Sequence, residues 1–101
     1  MINARFKKNN GIIEEIRLSG HAKYANYGKD IVCAGVSASL ITTVNAILSF
    51  DKEAIEYNDS NDFYLKNIKQ DKVTNTLLDN LYRTLKEIEK TYKDNIKVKE
   101  D

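Results

Sequence analysis

Proline is absent from this chain, cysteine and histidine occur once each, and glycine occurs four times in 101 residues. One cysteine excludes an internal disulfide and fits a reducing compartment, so the expected location is the cytoplasm. One His and one Cys fall short of the four ligands of a structural zinc site. No glycine-rich phosphate loop occurs. Neither a metal nor another cofactor is therefore expected. Without Pro, Gly or Ser clusters there is no linker, repeat or low-complexity tract, and residues 1–101 read as a single domain. The start of the chain, MINARFKKNN, lacks the apolar run of a signal peptide. Sixteen basic and fifteen acidic residues leave a net charge of +1. That balance implies no polyelectrolyte partner, and direct nucleic-acid binding is not expected.

Charge is missing from one long stretch. Ile31 to Phe50 holds no ionisable residue besides Cys33. Its length would span a bilayer. Ser37, Ser39, Thr42, Thr43, Asn45 and Ser49 interrupt it, so a buried core helix explains it better than a membrane span. No membrane partner is expected.

What is present alternates in two periods. Ile2, Ala4 and Phe6 interleave with polar residues, as in a half-buried strand. Asn10-Gly11 is a hairpin signal, and Ile12 to Ser19 reads as the returning strand. The adjacent Ile12 and Ile13 predict a register shift near Glu14. A helix is expected over about Ile31 to Leu48, with Val36, Leu40, Val44, Ile47 and Leu48 as its spine. Ile55 to Tyr57 and Phe63 to Ile68 form a second hairpin around Asn58-Asp59-Ser60-Asn61. Val73, Leu77, Leu78, Leu81, Leu85, Ile88 and Tyr92 mark a second helix capped by Asn95. Asp79–Arg83 and Glu89–Lys93 are expected ion pairs on its wet face. Ile96 and Val98 suggest an edge strand, and the charged tail Lys97 to Asp101 is expected to fray. The expected fold is α+β in the order ββαββαβ, a mixed sheet with two packed helices.

The chemistry concentrates in Gly20 to Ser37, GHAKYANYGKDIVCAGVS. His21 and Cys33 lie on either side of one short loop, the minimum parts of a Cys/His nucleophile pair. With Asp30 as N-cap, Cys33 falls in the first helical turn, where unpaired N–H groups favour the thiolate. Ala34 and Gly35 are then the nearest oxyanion donors. Ser37, four residues on, shares the face of Cys33. It either supports the thiol or His21, or bonds back to a helical carbonyl. The loop Lys23 to Lys29, with Tyr24, Tyr27 and Gly28, either closes over a peptide or simply connects the elements.

The words GHA and DIVCAGVSA, at this spacing, resemble the ribosomal-processing cysteine protease family, Prp. The likeness extends over nearly the whole chain. It implies that His21 and Cys33 are the catalytic pair, with Asp30 and Ser37 at the family's recurring Asp and Ser. It further implies a cysteine endopeptidase that removes the short N-terminal extension of a bacterial large-subunit ribosomal protein, supporting ribosome assembly. The cut follows a hydrophobic segment ending in aromatic residues. A homodimer is expected on the same ground. The rival expectation is a non-catalytic module that binds the ribosome or its RNA through Arg5, Lys7, Lys8, Arg17 and Lys23.

Overall fold

In the computed structural model, residues 1–20, 27–60 and 62–101 are described, with side chains from 31 onward in the first helix. Strands β1 (Ile2–Asn9) and β2 (Ile12–Ser19) form the first hairpin. Asn10 and Gly11 have φ of 54° and 79°, the double left-handed turn that matches strand twist. Lys7 faces Glu15 but Lys8 faces Ile13, so Glu14 is an extra residue in β2. That bulge is what the sequence demands. Ile13, Ile16 and Leu18 are all buried, and a spacing of three between the first two cannot share one face of a regular strand.

Helix α1 (Tyr27–Phe50) follows, then β3 (Ile55–Asn58), β4 (Phe63–Asn67), α2 (Lys72–Thr91) and β5 (Ile96–Glu100). The sheet order is β3-β4-β2-β1-β5. Among the described residues, β5 alone runs parallel, to β1. This is the expected α+β order and mixed sheet. Both helices pack on one face, where Phe6, Ile16, Leu18 and Leu65 meet Val32, Val36 and Ile47 of α1 and Leu78, Leu81 and Leu85 of α2. Ile31–Phe50 is long and apolar enough to cross a membrane by length and composition, with mean hydropathy 1.9. Here its buried stripe forms part of this core.

Four expectations change. Helix α1 begins four residues before Ile31, so Asp30 lies inside it and is not its N-cap. An Asp ahead of an apolar run is a capping signal, but it also tolerates the first turn of a helix. Helix α2 ends at Tyr92 rather than Asn95, because the Tyr92 N–H closes on Ile88 O and Asn95 turns back onto Tyr92 O at 2.8 Å. Its N-cap is Asp71, whose carboxylate accepts from Thr74 N at 2.8 Å. The tail does not fray: Lys97 to Glu100 pair with β1, and Asp101 N donates to Phe6 O at 2.8 Å. Finally, Glu89 pairs with Lys86 at 3.2 Å rather than with Lys93. Asn61 of the expected turn lies outside the described residues; Asn58 Oδ1 accepts from Ser60 N at 2.9 Å.

Gly20 closes the central strand with φ of 81°. A Cβ there would lie 2.0 Å from the carbonyl oxygen of Met1. No side chain fits that approach. The left-handed backbone alone costs a non-glycine residue about 1–2 kcal/mol. We expect Gly20→Ala to lower the urea midpoint by more than that strain alone, with Ser19→Ala as the control that leaves it nearly unchanged.

Glu89 reaches from α2 to the free edge of β5, where its carboxylate accepts the Val98 N–H at 2.6 Å. An edge N–H so covered cannot recruit another strand. Partial burial, which pushes the Glu89 carboxyl upward, is outweighed by the Val98 N–H and the Lys86 ammonium, and the pKa falls below its ordinary 4.5. A depressed carboxylate stabilises the fold above its unfolded value and loses that contribution as pH falls through the folded one. Glu89→Gln should therefore cost about 1 kcal/mol at neutral pH. Its gap from the native chain should close between about pH 5 and pH 3, read from urea midpoints across that range.

Candidate active site

The site is built on the exit of β2 and the start of α1. The central position of β2, between β1 and β4, fixes where the chain leaves the sheet, and Gly20 makes that exit tight. His21 and Tyr24 lie outside the described residues, as does most of the loop Lys23 to Lys29. Tyr27 and Gly28, read as loop, belong by their backbone to the first turn of α1. The side chains of Tyr27, Gly28 and Asp30 lie outside the described residues.

Cys33 is the seventh residue of α1. It is a free, half-buried thiol packed at the rim of the core. The early helix start relocates the backbone donors. Unpaired N–H groups belong to the first turn, at Tyr27 to Asp30. Ala34 and Gly35 stand in the helix interior, where bonds to the preceding turn engage their N–H groups. They are no longer the natural oxyanion donors. The field of a helix terminus also fades within one turn, so Cys33 in the second turn is largely past it.

The Cys33 side of α1 is distinct from its other flank. Gly35 faces α2, where a Cβ would meet Ile88 Cδ1 at 3.7 Å. Among the described residues, the α1 hydroxyls that bond back one turn are Ser39, to Gly35 O, and Ser49, to Asn45 O, both at 2.8 Å. Ser37 instead lines a groove, one turn from Cys33. The groove runs between α1 and the β3–β4 hairpin, with Leu40, Ile41, Val44, Tyr57 and Phe63 as its apolar walls and Asn45 and Asp59 at its rim. Its volume is about 360 Å³, within the usual span of small-ligand sites. Ile41 is 61% exposed and Tyr57 47%, an apolar opening that the core does not need.

Apart from Ser37, the sequence marks none of these groove residues as part of a site, and it reads Leu40 and Val44 only as core spine. A signal was present: Ile41 falls outside the buried stripe of α1, and Tyr57 shares the helix-facing side of β3 with buried Ile55 yet stays exposed. Single exposed apolar residues are ordinary, but Ile41 and Tyr57 line one groove, and a contiguous apolar patch marks a surface with a use.

Comparison with known proteins agrees with this fold. The family model for the cysteine protease Prp matches residues 1–97. The ribosomal processing cysteine protease Prp of Staphylococcus aureus is 34% identical over 92 residues, covering 87% of either chain. A crystal structure of S. aureus Prp with a substrate peptide matches at TM-score 0.91 and 28% identity, over 100% of both chains. Another, with a covalently linked product peptide, matches at TM-score 0.89 and 30% identity over the same extent. A free thiol beside an apolar groove, on a fold shared along its full length, is what such an enzyme requires, and the chain belongs to the Prp family of cysteine proteases.

Proposed function

We propose that this cysteine protease removes the short hydrophobic N-terminal extension of a bacterial large-subunit ribosomal protein, in the cytoplasm, with Cys33 and His21 as its catalytic pair. The observation that carries the reading is the groove that starts one turn from the only thiol. Cys33 Sγ attacks the carbonyl carbon of the scissile bond while its proton passes to the His21 imidazole. The tetrahedral oxyanion collapses, the C–N bond breaks, and His21 returns the proton to the leaving amine. Water then hydrolyses the thioester and frees the thiol. The covalently linked product in the S. aureus structure is the kind of species a thiol nucleophile forms. With Cys33 beyond the first turn, activation of the thiol falls to the imidazole rather than to the helix terminus.

The acyl side of the peptide occupies the groove. Cys33, Ser37, Ile41 and Asn45 recur every four residues, so the face spans about 18 Å along α1. That length accommodates about five extended residues. Leu40, Ile41, Val44, Tyr57 and Phe63 offer walls suited to aliphatic and aromatic side chains. The enzyme works as a homodimer in this reading, for which light scattering is the direct measurement. The covered edge at β5 favours assembly elsewhere, at β3 or along exposed α1 residues such as Phe50, which is 72% exposed.

Cleavage of the extended ribosomal protein is the decisive measurement. The native chain should cut once, near the aromatic end of the extension. Cys33→Ala and His21→Ala should each lose at least about a thousandfold in rate while staying folded. Cutting by Cys33→Ala would overturn the nucleophile assignment.

Tyr57→Ala should leave the fold intact and reduce kcat/KM on the apolar peptide by about tenfold or more, equivalent to about 1.4 kcal/mol. The loss should shrink for peptides whose apolar side chains are truncated. An equal loss on both peptides would remove Tyr57 from the groove's role.

A further inference from the structure

The face of the sheet away from both helices carries two different charge patterns. One cross-strand row reads Lys7, Glu15, Lys66, Glu56 over β1, β2, β4 and β3. Signs alternate there, as cross-strand stability favours. The neighbouring row reads Lys99, Arg5, Arg17 over β5, β1 and β2, and continues through Tyr64 on β4 to Asn58 on β3. Three cations stand directly side by side. The row beyond it, Lys97, Asn3, Ser19, also holds no carboxylate.

Like charges placed opposite each other weaken a sheet, so the fold does not ask for this row. It is relieved only in part. Asp101 pairs with Arg5 at 3.1 Å, but its side chain is 43% exposed and the Arg5 side chain 60%, so the pair is screened and exchangeable. Arg17 lies over the Tyr64 ring at 4.4 Å, and Tyr64 is itself held by its hydroxyl donating to Glu15 at 3.0 Å. A shallow depression lies over the row, lined by Arg5, Lys7 and Arg17 with Glu15 and Asp101.

We infer that this open sheet face binds the phosphate backbone of RNA through the Lys99–Arg5–Arg17 row. Strand spacing sets the cations about 5 Å apart, in a line about 10 Å long. A guanidinium fork matches phosphate oxygens, and RNA presents one negative charge per nucleotide along a continuous track. The balanced net charge of the chain argued against a nucleic-acid partner. The fold overrides that argument by sorting the charges onto separate rows. The row lies on the opposite side of the sheet from the groove, so peptide and RNA can be held together. On the reading that the substrate is a ribosomal protein, this contact holds the enzyme to the RNA-rich particle where that protein assembles.

The test is fluorescence anisotropy of a labelled single-stranded RNA of about 20 nucleotides, titrated from low to moderate salt. The native chain should bind with salt-sensitive affinity. The variant Arg5→Gln/Arg17→Gln/Lys99→Gln should bind at least tenfold more weakly, with a log–log salt slope shallower by about 2 for three lost phosphate contacts. The same variant should cleave a short substrate peptide at the native rate and resist urea at least as well, since a repulsive row has gone. Arg5→Gln and Arg17→Gln singly should give intermediate losses. Absence of RNA binding by the native chain, unchanged binding by the triple variant, or stronger competition by polyglutamate than by unlabelled RNA would each overturn the proposal. Peptide cleavage is read separately, so failure here is distinct from failure of the protease reading.

Discussion

The close approach of Gly20 to the Met1 carbonyl governs how the rest of this molecule is arranged. β2 is the central strand, hydrogen-bonded to β1 on one side and β4 on the other. A central strand has no freedom to slide, because one residue of slip would turn Ile16 and Leu18 out of the core. The chain must therefore leave the sheet at a fixed point. At that point the backbone of Met1, just ahead of β1, leaves no room for a side chain. The residue before the histidine is glycine for this steric reason, independent of any chemistry. Downstream, α1 lies across the same face of the sheet, held by Val32, Val36, Val44 and Ile47. The positions of strand exit and thiol are thus both set by one core.

Most of the architecture could be read from the residues because local and tertiary signals agree there. The Asn10-Gly11 turn, the bulge near Glu14 and the stripe of α2 each follow from a period or a turn type that the core then rewards. The disagreements share a cause. Asp30 has the chemistry of a cap, but the start of α1 is set elsewhere, and a side-chain preference worth about 1 kcal/mol does not decide it. The tail Lys97 to Asp101 has the composition of a frayed end. It is ordered because β1 offers it a free edge in parallel register, a partner about ninety residues away that no local window contains. The groove escaped for a similar reason: α1 and β3–β4 supply one wall each, and only the fold brings them together. The pairing of His21 with Cys33 is of another kind: it rests on two rare, reactive residue types within the words GHA and DIVCA that resemble the family, and His21 lies outside the described residues.

Charge behaves in the same way. A net of +1 describes the chain but not any surface of it. Antiparallel pairing places Lys7, Glu15, Lys66 and Glu56 in an alternating row; two residues along, the antiparallel β1–β2 pairing sets Arg17 beside Arg5, and the parallel β5 adds Lys99. Which row a charge joins is fixed by register, and register is fixed by the buried face. The bulge at Glu14 therefore has a consequence on the far side of the sheet. It resets the phase of β2 between Lys8 and Lys7, so that Glu15 meets Lys7 and Arg17 meets Arg5.

In the proposed mechanism, a nucleophile on the second turn of a packed helix gives up most of the terminal field but gains alignment. Successive positions on the Cys33 face of α1 are separated by about 6 Å of helix rise. Alternate side chains of an extended peptide are separated by about 6.6 Å. The two repeats nearly match over the few residues the groove accommodates, so side chains on one side of a bound strand meet successive turns of α1. On the proposed reading, Cys33, Ser37 and Ile41 would meet the scissile bond and the apolar residues before it in a single register. A thiol on a loop could be activated as well, but it would carry no fixed distance to the groove. With helix and groove sharing Ser37, Leu40, Ile41 and Val44, the proposed mechanism would set the place of the cut relative to the apolar segment by helical pitch, leaving the imidazole only to accept and return the proton.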